Sequence, residues 1–155
     1  MEEVKLFIGI DPGLNGGIAV LNKIGGVESV CKMPETPQDI LNFLEQYSEE
    51  NAVCVLEDVG HGMPGQSSKA TATFARHNGH LEMALLALSI RTEKVTPQKW
   101  QKIYQLGSSK GVEKNAWKNK LKAKAQQLFP SLGRNITLST CDALLLAEYG
   151  RRNNL

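Results

Sequence analysis

Three acidic residues of the chain stand where a sequence changes element. Asp11 closes the run FIGID before Pro12-Gly13, Glu57 closes VCVLE, and Asp142 follows the pair Ser139-Thr140 by two positions. Taken singly, each has a plain explanation as a turn residue, a solvated strand end or a charge favoured at a helix N-terminus. Taken together they describe a site. If the first and fourth strands are parallel neighbours, Asp11 and Glu57 project from one end of the sheet about 5 Å apart. A helix that begins beside that end brings Asp142 to them. Clustered carboxylates repel one another, so both their cost and their pKa values call for a cation. An oxygen-only cluster suits Mg²⁺ or Mn²⁺ rather than Zn²⁺. Two such ions about 3.5–4 Å apart can activate a water and stabilise the leaving oxygen of a phosphodiester.

A second signal is the distribution of positive charge. The net charge is only +2, yet residues 91–124 carry ten lysines and arginines against Glu93 and Glu113, a balance of +8; eight cations and fourteen acids elsewhere leave the remainder at −6. So basic a third of the chain suggests a polyanionic partner, although a charge run is also what a solvated helix surface looks like. Spacing favours the partner. Lys114, Lys118 and Lys122 recur every four residues and stack on one helix face. Trp117, Leu121 and Leu128 fall on another, which can pack inward. One side is held down while a cationic rail points out towards phosphates.

The elements that must position these groups follow from periodicity and punctuation. Residues 4–11, 18–22 and 27–33 read as strands joined by Gly-rich turns, an antiparallel meander. Thr36-Pro37 reads as N-cap and first turn of a helix whose apolar stripe is Ile40, Leu41, Phe43, Leu44 and Tyr47. Residues 52–57 form a buried strand that, following a helix, runs parallel to the first. Residues 61–68 read as a loop. A long helix starts at Lys69 with Phe74, His77/Asn78, Leu81, Leu85 and Leu88 on one stripe, and Gly79 within it is expected to mark close approach of another backbone. A fifth strand over 90–96, a short helix over 98–104, a polar loop over 106–111 and the basic helix over 113–129 follow, ended by Pro130. The last helix spans 140–152, capped by Ser139 or Thr140 and finishing with Gly150-Arg151-Arg152. The order predicts an α/β fold with one mixed sheet flanked by helices.

Composition narrows the class. At 155 residues, with 41% hydrophobic and 22% charged residues, the sequence reads as one globular domain over 1–155, not a disordered chain. No apolar run approaches the ~18 residues of a membrane span. The start MEEVKLFIGIDPG carries two acids where a secretory signal would carry bases, so a cytoplasmic protein is expected. Cys31, Cys54 and Cys141 are odd in number and form no CxxC pair, which argues against a disulfide scaffold or zinc ribbon. The DPGLNGG turn could also cradle nucleotide phosphates. That architecture needs about twice this length and a second copy of the turn, and no GxxxxGK[ST] loop is present. No nucleotide cofactor and no membrane partner are expected. His61, His77 and His80 read as polar loop or helix residues, since hard oxygen-bound metals do not favour imidazole. Trp100 and Trp117 read as packing residues.

The segments FIGIDPGLNGGIAVL, VLEDVG and CDALLLAEYG resemble the three acidic motifs of RuvC-like Holliday-junction resolvases, which have the RNase H-like fold. VTPQKWQK, the GSSK loop and the Lys-rich helix resemble that family's DNA-facing segment, and the overall style is similar to its short phage-type members. The resemblance implies a five-stranded mixed sheet, three antiparallel then two parallel strands, flanked by helices. It implies cleavage of four-way DNA junctions by a homodimer that makes two symmetric nicks and leaves 5′ phosphates. Asp11, Glu57 and Asp142 fall on the family's catalytic, metal-binding carboxylates, with Mg²⁺, or Mn²⁺ as a substitute, at two ions per site. Lys99, Lys102, Lys110, Lys114, Lys118 and Lys122 are the DNA-binding candidates, and Lys114 or Lys118 falls near the scissile phosphate.

The sequence departs from the family at one position. Many members carry a fourth carboxylate three residues before the final Asp, and Ser139 stands there. Either three carboxylates suffice, or Asp58 or a water fills the gap, or the chain chiefly binds junctions. The first is favoured, because three acids plus phosphate oxygens can fill two octahedral shells. A junction-binding protein with little cleavage, and an RNase H-like nuclease of other branched or hybrid substrates, are the alternatives. The helix from Lys69 to Leu88 is the candidate dimer interface, or else an internal core helix, and Met63-Pro64 could insert near the junction crossover.

Overall fold

A computed structural model describes residues 3–60 and 65–155. The predicted His61 position and the Met63-Pro64 insertion lie outside the described residues. Five strands, β1 (Leu6–Asp11), β2 (Gly17–Asn22), β3 (Val27–Lys32), β4 (Ala52–Glu57) and β5 (Arg91–Val95), form one sheet in the order β3-β2-β1-β4-β5. The first three are antiparallel neighbours, while β4 is parallel to β1 and β5 to β4, as predicted.

Helices cover both faces. On one lie α1 (Pro37–Glu45) and α2 (Ser68–Ala87), packed on Leu6, Ile8, Ile10, Ile18, Val20, Cys54 and Leu56. On the other lie α3 (Pro97–Lys102), α4 (Lys114–Leu128) and α5 (Cys141–Arg152), against Ala19, Leu21, Val55 and Val95. Because strand side chains alternate, this division fixes the fate of the acids. Ile10 and Leu56 point to the α1/α2 side, so Asp11 and Glu57, one residue on, point to the α5 side.

Helix α5 reaches that side through Gly9, where any Cβ would come within 2.1 Å of the Ala143 carbonyl oxygen. A side chain there would lift the helix off β1 and carry Asp142 with it. Residues 141–150 of α5 are all buried, so this is the central helix of the fold.

Four expectations change. Gly150 does not finish α5: it lies within the helix and lets it approach the sheet, where a Cβ would stand 2.9 Å from Val55 Cγ2. Gly79 meets no backbone, as a Cβ there would face open space. Thr140 holds the N-cap position without capping, because its hydroxyl instead accepts the Thr137 backbone N–H at 3.0 Å. The lysine rail of α4 is broken at its middle member, for reasons given below. The other helix starts follow their capping chemistry: Thr36 accepts from the Asp39 N–H and Thr96 from the Lys99 N–H, each with proline next in the chain. Among the described residues no helix is long and apolar enough to cross a membrane.

Candidate active site

Asp11 ends β1 and Glu57 ends β4, whose register pairs Ile10 with Leu56 immediately before them. Asp142 sits in the first turn of α5, where the helix dipole favours a negative charge. The three side chains meet. Asp11 and Glu57 lie within hydrogen-bond reach of each other, and both feel the charge of Asp142. Burial and then the Asp142 and Glu57 charges hold the Asp11 carboxyl well above the usual carboxylate range. Burial also pushes Glu57 up to about 7, against a hydrogen bond from Trp100 that lowers it. The metal-free pair therefore tends to keep a proton between its carboxyls.

One lysine enters this cluster. Lys118 Nζ lies 2.6 Å from Asp142 Oδ2 and 3.9 Å from Asp11 Oδ2. Burial opposes charge on Lys118, but Asp142 and Asp11 outweigh it and its pKa is raised. Lys118 leaves the solvent-facing row because buried carboxylates one helix away attract it more strongly than water and salt do. The other predicted DNA-binding lysines stay at the surface: Lys99 and Lys102 on α3, Lys110 in the following loop and Lys114 opening α4 are exposed, and Lys122 is half-buried.

Glu57 is held by a residue that sequence reasoning assigned to packing alone. Trp100 is fully buried, and its indole Nε1 donates to Glu57 Oε2 at 2.7 Å. The signal was present. Val95, which pairs with Glu57, is followed by Thr96-Pro97, which starts a helix and puts Trp100 one turn in, beside the end of β4. Cys141 adds a weaker interaction, its thiol donating to Asp142 Oδ1 at 3.5 Å. Burial and the Asp142 charge push that thiol up to about 12, so it stays protonated and acts as a donor rather than a ligand.

Among the described residues no three His, Cys, Asp or Glu side chains form a ready metal cage. The donor set nonetheless fits a hard divalent cation. It consists of buried Glu57 and Asp142 and partly buried Asp11, opposed by one ammonium, and burial together with mutual repulsion drives Asp11 and Glu57 towards protonation. Buried Glu148 makes the contrast plain: Arg151 and Arg152 pair with it at 2.5 and 3.0 Å, an ordinary satisfied ion pair. His77 is buried with its pKa lowered by burial and by His80, and neither imidazole contacts the acid cluster. Ser139 stands just before α5, its carbonyl against Gly17 at the start of β2.

No protein-family model matches the sequence, and no curated protein matches it in sequence. Solved structures do match in shape. Thermus thermophilus RuvC in complex with a Holliday junction substrate superposes with a TM-score of 0.64 at 15% identity, covering 96% of each chain. A second structure of Thermus thermophilus RuvC gives 0.60 at 14% identity, again over 96% of each chain. The five-stranded mixed sheet with its flanking helices is thus the RNase H-like fold seen in RuvC.

Proposed function

We propose that residues 1–155 form one nuclease domain, a structure-selective endonuclease that resolves four-way DNA junctions by paired, symmetric, divalent-metal-dependent cuts leaving 5′ phosphates. The observation that carries this reading is the meeting of Asp11, Glu57 and Asp142, from three separate elements, at the sheet end beside a basic helix. It is supported by a fold shared with a protein solved on a Holliday junction substrate. The phage-type likeness and a cytoplasmic setting rest on the sequence motifs alone.

Asp11 and Glu57 would hold one Mg²⁺ or Mn²⁺, and Asp11 and Asp142 a second; such ions lower the pKa of a bound water and take charge from the departing 3′ oxygen. The chain's own residues do the rest. Trp100 holds Glu57 by Oε2 in a position where its carboxyl stays within hydrogen-bond reach of Asp11. The N-terminus of α5, seated through Gly9, fixes Asp142. Lys118 or Lys114 stands to stabilise charge on the scissile phosphate. Lys99, Lys102, Lys110, Lys114 and Lys122 hold the backbone without reading sequence, so junction selectivity comes from DNA shape and deformability.

A homodimer fits a substrate with near two-fold symmetry. The outer face of α2 supports that assembly, since Met83 and Leu86 are 62% and 73% exposed. The test is a labelled four-way junction with Mg²⁺, run beside flap, duplex and RNA–DNA hybrid controls. Symmetric nicks confined to the junction bear out the reading. Binding without nicks under any divalent ion, or a preference for flap or hybrid, contradicts it.

A further inference from the structure

The three carboxylates do not share one environment. Between Asp11 and Asp142 sits the Lys118 ammonium, 3.9 Å from one and 2.6 Å from the other. Glu57 is hydrogen-bonded to the neutral indole of Trp100 and feels the Lys118 charge without forming an ion pair with it. One half of the cluster already holds a cation and the other half does not.

We propose that Lys118 is a built-in competitor for the second divalent cation, so that the Asp11–Asp142 half of the site loads only when Lys118 swings out. The proposal rests on the metal-site reading above and adds an order of loading to it. An ammonium at 2.6 Å from Asp142 Oδ2 occupies one of the two oxygens open to a metal and repels a second cation brought beside it. The swing needs no movement of α4. That helix is anchored through buried Leu121 and Ala125, while the flexible Lys118 side chain is 30% exposed. The Asp11–Glu57 half meets no such obstacle and loads first. An ammonium released from the carboxylates is then available to a backbone phosphate.

Metal binding without DNA tests this. Metal-free protein is titrated with Mn²⁺, and free Mn²⁺ is followed by electron paramagnetic resonance, in wild type, K118M, K118Q, K120M and D11N. Wild type is expected to bind one ion well and a second weakly. K118M and K118Q, one apolar and one polar, are each expected to bind the second at least about tenfold more tightly, a coupling of ordinary size. K120M, at an exposed position of the same helix, is expected to follow wild type, and thermal melts confirm that each variant is folded. Equal affinities for the second ion in wild type and both Lys118 variants, or weaker binding in the variants, overturn the competition while leaving the metal site standing. If neither wild type nor the Lys118 variants bind Mn²⁺, or if D11N binds it as wild type does, the metal-site reading itself fails and the competition with it.

Discussion

The indole Nε1 of Trp100, on α3, donates to Glu57 Oε2 at 2.7 Å, so a helix that follows β5 sets the carboxylate that closes β4. This hydrogen bond does two things: it selects the rotamer of Glu57 and favours its ionised form against burial. W100F keeps most of the ring packing and removes the donor. Glu57 is then harder to ionise, so the acid limb of the cleavage pH profile should move to higher pH. The turnover rate should fall several-fold while the Kd for the junction stays near wild type. Because Oε2 is left without its buried partner, stability should also drop by roughly 1–3 kcal/mol. A lower Tm with an unshifted pH profile would mean that Trp100 only packs.

Stability of the metal-free protein should depend on pH in a direction set by Glu57. Its folded pKa, about 7, lies above the ordinary glutamate value of 4.5, so the folded state holds the extra proton. Its contribution to stability is therefore full below about pH 4.5 and is lost as pH rises through 7. E57Q, which keeps an acceptor for Trp100, should be more stable than wild type at pH 8 by roughly 1–3 kcal/mol, with the gap closing by about pH 5. Thermal melts of both proteins across that range, in a metal chelator, give the answer. A gap that widens towards low pH would have the wrong sign.

Metal binding should release protons. Asp11 and Glu57 are both raised by burial and by neighbouring negative charge, and a divalent ion requires them ionised. Calorimetric titration with Mg²⁺ at about pH 6.5, in two buffers of different ionisation enthalpy, should show release of about one proton per site. Identical heats in the two buffers would contradict a shared proton at this pair.

Exposed lysines should act on affinity through salt. Replacing Lys102 and Lys114 by alanine should weaken junction binding and lower the slope of log K against log salt by about 0.9 for each phosphate no longer neutralised. The slope is read from anisotropy of a labelled junction. An unchanged slope would move these lysines away from the DNA.

Much of this site was legible because its parts obey local rules. Pro12-Gly13 ends β1 just after Asp11, the strand alternation puts Asp11 and Glu57 on one face, and Thr36-Pro37 and Thr96-Pro97 mark helix starts by capping chemistry. What was missed depends on tertiary electrostatics. By spacing Lys118 is a solvated rail residue, and the resemblance alone put Lys118 or Lys114 near the scissile phosphate; the approach of α5 to α4 shows that it is Lys118 that two carboxylates draw inward. Trp100 looks like any core aromatic until β5 and β4 are paired and its indole meets Glu57. Gly150 reads as a helix end because Arg151-Arg152 follow it, whereas its missing side chain serves the close approach to Val55.

Whether Asp11, Glu57 and Asp142 bind divalent cations is decided by anomalous scattering from Mn²⁺-soaked crystals. One strong anomalous peak is expected between Asp11 and Glu57, and a second between Asp11 and Asp142 that strengthens in K118M. Manganese absent from these carboxylates, or bound elsewhere on the protein while Lys118 keeps its place, would contradict it.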